Sequence, residues 1–346
     1  MKPKAKDLTK NIILDHLCKM WGLGTDTKLT LLSGGTESAA WVVEEGDNGN
    51  KWVAKVFGLG EDLDKVKDEV KLYQFLIDRG IHAPILRTDL NDQELNFIDF
   101  KGYQLPVILM RFENLRMCTP STVTQTELSK IASETAKMHK VLLEYPNKEV
   151  LRHSKLPAGE WAEKDEPKSA YEALTQSVHV EKFSKEQLEK FSKIDAMMEN
   201  YIKSNPPLLP QTETIIHADL ALEHAQLLPD GNVYFFDFAD RSWGSVSQEL
   251  ATFMTMLYQW EDIPFEKWEE LRQWLLDGYQ TITPLTSNDL LAISQKALIR
   301  LLGANKYLAV LAKTTPSEHV VNWIRRGYEL GDYICSKGRE LSGGVI

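Results

Sequence analysis

The dominant period of the apolar residues shifts near residue 113, and that shift constrains the fold more than any other feature. Before it, short alternating segments predict strands at Lys28–Leu32, Ala39–Val43, Trp52–Phe57, Leu95–Phe100 and Leu105–Phe112. Gly46-Asp47-Asn48-Gly49-Asn50 and Lys101-Gly102 supply turn residues between them. One helical stretch, Asp62–Arg79, interrupts the strands and stops at Gly80. Beyond residue 113 the helical period dominates. It covers Thr124–Leu143, where Thr124 and Glu127 have capping-box spacing, then Phe183–Ile202, Gln248–Trp260, Phe265–Tyr279, Asp289–Lys313 and Ser317–Cys335. Between Glu144 and Glu181 the chain is charged and carries Pro146, Pro157 and Pro167, so it reads as a loop or insertion. The expectation is an α+β, two-lobed chain. Residues 1–113 form an antiparallel sheet with one helix, and residues 114–346 form a mostly helical lobe.

Composition narrows the functional classes. The 346 residues suit two lobes, and no apolar run is long enough for a transmembrane helix. The basic start, Met1 to Lys6, is not followed by the apolar segment of a secretory signal. With 40 Lys+Arg against 50 Asp+Glu, the net charge of -10 favours neither nucleic acid nor an anionic membrane as partner. Cys18, Cys118 and Cys335 are too scattered for a disulfide framework or a CxxC metal site, so a reducing, cytoplasmic setting is expected.

The residues that promise chemistry cluster early in the second part. Ile215-Ile216-His217-Ala218-Asp219-Leu220 leads to His224, and Phe235-Phe236-Asp237-Phe238 follows a turn at Pro229 to Asn232. Asp219, His224 and Asp237 stand at i, i+5 and i+18. Phosphoryl transfer needs a carboxylate that orients or deprotonates a hydroxyl, together with hard ligands for Mg2+. Two carboxylates and one further ligand suit that chemistry. A metal-dependent hydrolase centre built from His217, Asp219, His224 and Asp237 uses the same residues, although no HExxH helix accompanies them.

This segment resembles the catalytic loop and metal-binding Asp-Phe motif of the aminoglycoside phosphotransferase and choline kinase-like family, whose fold is similar to that of protein kinases. The family pattern is His-x-Asp-Leu/Phe-x-x-x-x-Asn, then a hydrophobic pair and Asp-Phe/Trp. His217, Asp219, Leu220, Asp237 and Phe238 match it. Position 224 departs, with His in place of Asn, as in some 2''-aminoglycoside and macrolide phosphotransferases. The resemblance runs from about residue 28 to 260. It implies a kinase-like fold with nucleotide bound between the lobes, and transfer of the γ-phosphoryl group of ATP or GTP to a hydroxyl of a small molecule. The acceptor classes it implies are aminoglycosides, macrolides and other amino alcohols, homoserine and sugars. Asp219 is then the catalytic carboxylate, His224 and Asp237 hold Mg2+ or alternatively Mn2+, and His217 supports the loop. A non-catalytic kinase-like nucleotide-binding protein is the alternative.

Alternation puts Val53, Lys55 and Phe57 on one strand face. Lys55 is the candidate for holding the nucleotide's phosphates, steadied by a helix glutamate. On the helical wheel Glu69 lies beside Tyr73 and Leu76 and can reach inward, whereas Asp68 lies nearly opposite and is expected in solvent. Ser33, Gly34 and Gly35 join the first two strands and allow close approach of backbone to phosphate. Met110 and Phe112, at the end of the last strand of the first lobe, mark the resemblance's purine-binding hinge. Glu249, Glu261 and Asp262, interspersed with Tyr258 and Trp260, are candidate contacts for a cationic or sugar-like acceptor.

Overall fold

The computed structural model describes residues 8–32, 38–46, 49–58, 62–146, 169–205, 210–311 and 317–341. The chain divides into two compact units, Met1–Arg116 with Leu227–Ala239, and Met117–Gln226 with Asp240–Ile346.

The first unit is built on five antiparallel strands, β1 (Lys28–Leu31), β2 (Ala39–Glu44), β3 (Lys51–Val56), β4 (Leu95–Phe100) and β5 (Tyr103–Arg111). Their spatial order is β1-β2-β3-β5-β4. Alternation decides what each face carries. Val43, Ala54, Val56, Leu105, Val107 and Leu109 share a core with Ile13, Leu17 and Trp21 of a first helix, α1 (Lys10–Trp21). The sequence reading expects one helix in this lobe, and the structure holds two among the described residues. The signal for α1 is the i, i+4, i+8 stripe of Ile13, Leu17 and Trp21, closed by Gly22 in the left-handed conformation at φ 67. Burying each of these side chains is worth about 1.5–3 kcal/mol.

The opposite face of β3 carries Lys55, which is paired across the strands with Ala40 and Ile108. The second helix, α2 (Leu63–Ile77), supplies Glu69 to this lysine. Its buried positions include Val66, Asp68, Glu69, Val70, Leu72, Tyr73 and Leu76, an arc of roughly 200° at about 100° per residue. Asp68, expected in solvent, is 5% exposed. It sits at the edge of this arc, which is wider than the stripe of Val66, Val70, Tyr73 and Ile77 implies.

The segment Leu227–Ala239 groups with the sheet-bearing unit, whereas the sequence division at 113 assigns it to the helical lobe. Backbone pairing accounts for this. Tyr234 bridges His82, Leu227 bridges Arg116, and the Phe235 N–H donates to the His82 carbonyl at 2.9 Å. The strands β7 (Ala225–Leu227) and β8 (Val233–Phe235) flank a turn in which the Leu228 N–H reaches the Asn232 carbonyl.

The second unit contains α3 (Gln125–Leu142), α4 (Ala170–Thr175), α5 (Lys185–Ser204), α6 (Val246–Gln259), α7 (Phe265–Gln280), α8 (Ser287–Leu311) and α9 (Glu318–Leu341). A two-stranded antiparallel ladder, β6 (Glu213–Ile216) with β9 (Ser242–Ser245), lies among them. Every residue of α6 is buried, so this helix forms the centre of the unit. Thr124 and Glu127 make both bonds of the capping box that opens α3. The backbones of α3 and α7 approach so closely at Gly278 that a Cβ there would lie 2.5 Å from the Ser129 carbonyl oxygen. Of the segment read as a loop at 144–181, residues 147–168 lie outside the described residues, and Ala170–Thr175 is helical.

Candidate active site

In the first unit, Lys55 donates to Glu69 Oε1 at 3.1 Å and to Asp237 Oδ1 at 3.0 Å. Its side chain is only 9% exposed, and the ammonium lies 4.8 Å from the centre of the Phe57 ring. Burial alone would push the ammonium's pKa down. The Glu69 and Asp237 carboxylates outweigh burial and hold it above the ordinary lysine value, so the group stays charged. The Tyr73 hydroxyl donates to the same Glu69 oxygen at 2.5 Å, and the Tyr73 ring meets Phe238 edge-on at 6.2 Å. Tyr73 therefore ties helix α2 to the residue following Asp237. Sequence reasoning missed this role, although the i, i+4 spacing of Glu69 and Tyr73 is its signal.

Asp237 has φ 64, a left-handed conformation that is uncommon outside glycine. Its side chain is 45% exposed although one oxygen is tied to Lys55. Backbone strain of this kind, about 1–3 kcal/mol, persists where surrounding contacts over-determine it, and functional sites concentrate it.

The second unit carries the loop after β6. Glu249, fully enclosed on α6, accepts hydrogen bonds from the His217 N–H and from the Ala218 N–H at 3.2 Å. The same carboxylate meets His139 Nε2 at 3.4 Å, while His139 Nδ1 lies 2.8 Å from the Tyr279 hydroxyl. Ala218 has φ 69. A second residue in the left-handed region thus sits immediately before Asp219, whose carboxylate is 42% exposed. Glu249 was a candidate acceptor contact. The structure instead gives both its oxygens to the loop backbone, so it shapes the loop from behind.

His224 Nδ1 lies 2.6 Å from the Asp219 carbonyl oxygen. A carbonyl can only accept, so Nδ1 carries the proton and Nε2 is the lone-pair nitrogen of the neutral ring. The ring stacks on His217 with centroids 5.5 Å apart. His217 itself is fully buried, a placement suited to supporting the loop.

The remaining candidates are scattered. Ser33, Gly34 and Gly35 lie outside the described residues. Met110 pairs with Val53 and bridges Leu86, and the Phe112 N–H donates to the Lys51 carbonyl at 3.1 Å. Phe112 therefore spends its amide on β3. Glu261 accepts from the Ser121 N–H at 2.9 Å and the Ser121 hydroxyl at 2.7 Å, which closes the loop ahead of α3. Asp262 is exposed. No group of three His, Cys, Asp or Glu side chains is placed to hold a metal ion among the described residues. Two side chains suit a divalent cation by their chemistry: in the first unit the half-exposed Asp237 carboxylate, a hard oxygen ligand, and in the second the imidazole of His224. No helix among the described residues is long and apolar enough to cross a membrane.

Residues 28–286 match the profile of the phosphotransferase enzyme family, APH. The chain belongs to that family. It is a small-molecule phosphotransferase, and no curated protein matches its sequence. Solved structures agree in fold. This phosphotransferase superposes on the amicoumacin kinase hAmiN, in complex with AMP-PNP, Ca2+ and Ami, with a TM-score of 0.70 at 14% identity, covering 95% of each chain. A microcompartment-associated aminopropanol kinase also gives 0.70 at 14% identity, covering 96% of this chain and 99% of that one. The choline kinase LicA from Streptococcus pneumoniae gives 0.54 at 16% identity, with 94% and 99% covered. The kinase-like, α+β architecture expected from the sequence is thus the one observed.

Proposed function

We propose that this phosphotransferase moves the γ-phosphoryl group of ATP or GTP to a hydroxyl of a small molecule, with Asp219 orienting that hydroxyl and accepting its proton. The observation that carries the reading is the Lys55–Glu69–Asp237 cluster. A lysine held charged in a buried position, beside the aspartate of an Asp-Phe pair, suits a polyphosphate and its metal ion. Lys55 binds the non-transferred phosphates, and Glu69 with Tyr73 fixes its direction. Asp237 and Nε2 of His224 hold the divalent cation, Mg2+ or Mn2+, which when bound neutralises phosphate oxygens. The half-exposed carboxylate of Asp219, on a loop clamped by Glu249, is the group available to an incoming hydroxyl. The names of the structural neighbours, kinases of amicoumacin, aminopropanol and choline, support a small alcohol as the acceptor. A phosphorylation screen over aminoglycosides, macrolides, amino alcohols, hydroxy acids and sugars, with ATP and with GTP, tests the reading. Acceptor-dependent transfer that disappears in Asp219→Asn supports it, and transfer that survives in the variant refutes it.

A further inference from the structure

Arg300, on α8, points its guanidinium at two neutral partners. Nη1 lies 3.4 Å from Gln259 Oε1, a long hydrogen bond, and Nη2 lies 3.0 Å from the sulfur of Met256. Gln259 and Met256 are both buried on α6. Arg300 is half-buried, and an arginine in such a setting ordinarily finds a carboxylate, commonly through two parallel bonds. None stands at ion-pair distance from Arg300 among the described residues. Burial pushes the guanidinium's pKa down, and the carboxylates opposing that push are Asp219 and Glu223. Both belong to the loop that follows β6, so Arg300 stands close enough to the proposed catalytic carboxylate for their charges to act on each other.

The surroundings repeat the pattern of donors lacking acceptors. A cleft of the helical unit is lined by Glu223, Met256 and Trp260 among others. Trp323 meets Trp260 edge-on at 6.2 Å, and Arg326 donates to the Gln259 carbonyl at 2.7 Å. The indole N–H of Trp323 and the Nε–H of Arg326 are buried without an acceptor. Buried donors of this kind cost about 1–3 kcal/mol each when unpaired. Met256 lines this cleft and also touches Arg300, so the guanidinium stands directly behind the cleft wall.

Resting on the phosphotransfer reading above, we infer that Arg300 binds a carboxylate of the acceptor, so that the substrate class is a short hydroxy acid or hydroxy amino acid whose carboxylate lies a few bonds from the reacting hydroxyl. One alternative fits the geometry less well: an arginine that positioned Asp219 would be ion-paired with it, and Arg300 has no such pair among the described residues. Glu249 and Glu261 do not oppose an anionic acceptor, since both are occupied by the chain's own donors.

Matched acceptor pairs test this. Serine with serinamide and ethanolamine, homoserine with 3-aminopropan-1-ol, and 4-hydroxybutyrate with its amide are assayed on wild type, Arg300→Ala and Arg300→Lys, with both nucleotides. Thermal shift with each compound gives binding independently of turnover. The expected result is preference for the carboxylate member of at least one pair. The ratio of kcat/KM within that pair should fall about 10–100-fold in Arg300→Ala, mainly through KM, with partial rescue in Arg300→Lys. Preference for the amide or amine members, or a ratio unchanged in Arg300→Ala, overturns the inference and leaves phosphotransfer standing. Carboxylate-dependent thermal shifts that Arg300→Ala abolishes, without turnover of any acceptor, keep the carboxylate site and overturn its assignment to a phosphoryl acceptor. Absence of both binding and turnover for every carboxylate member overturns the inference.

Discussion

Lys55 and Asp237 are 182 residues apart in sequence, and their charged groups are 3.0 Å apart in the structure. Lys55 also holds Glu69 at 3.1 Å, so one buried ammonium serves two carboxylates. Removing it leaves Glu69, 2% exposed, with its charge uncompensated in the core. Lys55→Ala is therefore expected to weaken Mg-nucleotide binding and also to destabilise the fold by about 3–5 kcal/mol. Glu69→Ala acts through the same contact. A double-mutant cycle read by urea unfolding and nucleotide titration should show a coupling of about 1 kcal/mol or more. Lys71→Ala, exposed on the same helix, is the control and should stay within about 0.5 kcal/mol of wild type. Additive effects of Lys55→Ala and Glu69→Ala would mean the two do not work as a pair.

Glu249→Gln keeps the shape of the side chain and replaces one oxygen by an N–H2 facing the loop's N–H donors. One backbone donor then loses its acceptor, at a cost of about 1–3 kcal/mol. Urea unfolding should show this loss, and turnover should drop with nucleotide affinity retained. Unchanged stability would show that Glu249 does not clamp the loop.

Replacing His224 by Ala removes Nε2 and should raise the concentration of Mg2+ or Mn2+ that gives half-maximal turnover. Replacing it by Asn restores an oxygen ligand, so support by Mg2+ should return while any advantage of Mn2+ shrinks. If His224→Ala titrates with both ions as wild type does, the imidazole is not a ligand.

Asp195, on α5, offers a pH test away from the site. Burial pushes its carboxyl up to about 6, while the Tyr171 N–H and the Ser169 side chain favour the ionised form. A carboxyl whose pKa is higher folded than unfolded costs stability as pH rises. The penalty is absent below the unfolded value near 4, grows between about pH 4 and 6, and is constant above that. Asp195→Asn should therefore raise stability by roughly 3 kcal/mol at pH 7.5 and by nothing at pH 3.5. Equal unfolding midpoints for the two proteins at pH 7.5 would contradict this assignment.

Much of this was legible from residue patterns. Strand alternation placed Lys55 on its face, and the helical wheel chose Glu69 as its partner, because both depend on local periods that tertiary packing preserved. The wheel failed at Asp68, since a stripe of four apolar residues underestimates how far the surrounding chain wraps a helix. The stripe of α1 was present in Ile13, Leu17 and Trp21 and closed by Gly22, yet its polar interleaving hid it among loop residues. The positive φ of Ala218 and Asp237 follows from contacts made far away in sequence, and no local propensity announces it. Glu249 and Glu261 looked like ligand carboxylates because the identity of a buried carboxylate's donors is a tertiary fact. Both are satisfied by backbone or serine donors from distant segments.

Transfer of labelled γ-phosphate from ATP and GTP across the acceptor panel, with wild type and Asp219→Asn side by side, is the most direct measurement of phosphoryl transfer by this protein. The expected result is acceptor-dependent transfer by wild type, reduced by about 10²–10⁴-fold in Asp219→Asn while nucleotide affinity holds. Transfer at the wild-type rate in Asp219→Asn, or no acceptor-dependent transfer by wild type with either nucleotide, would contradict it.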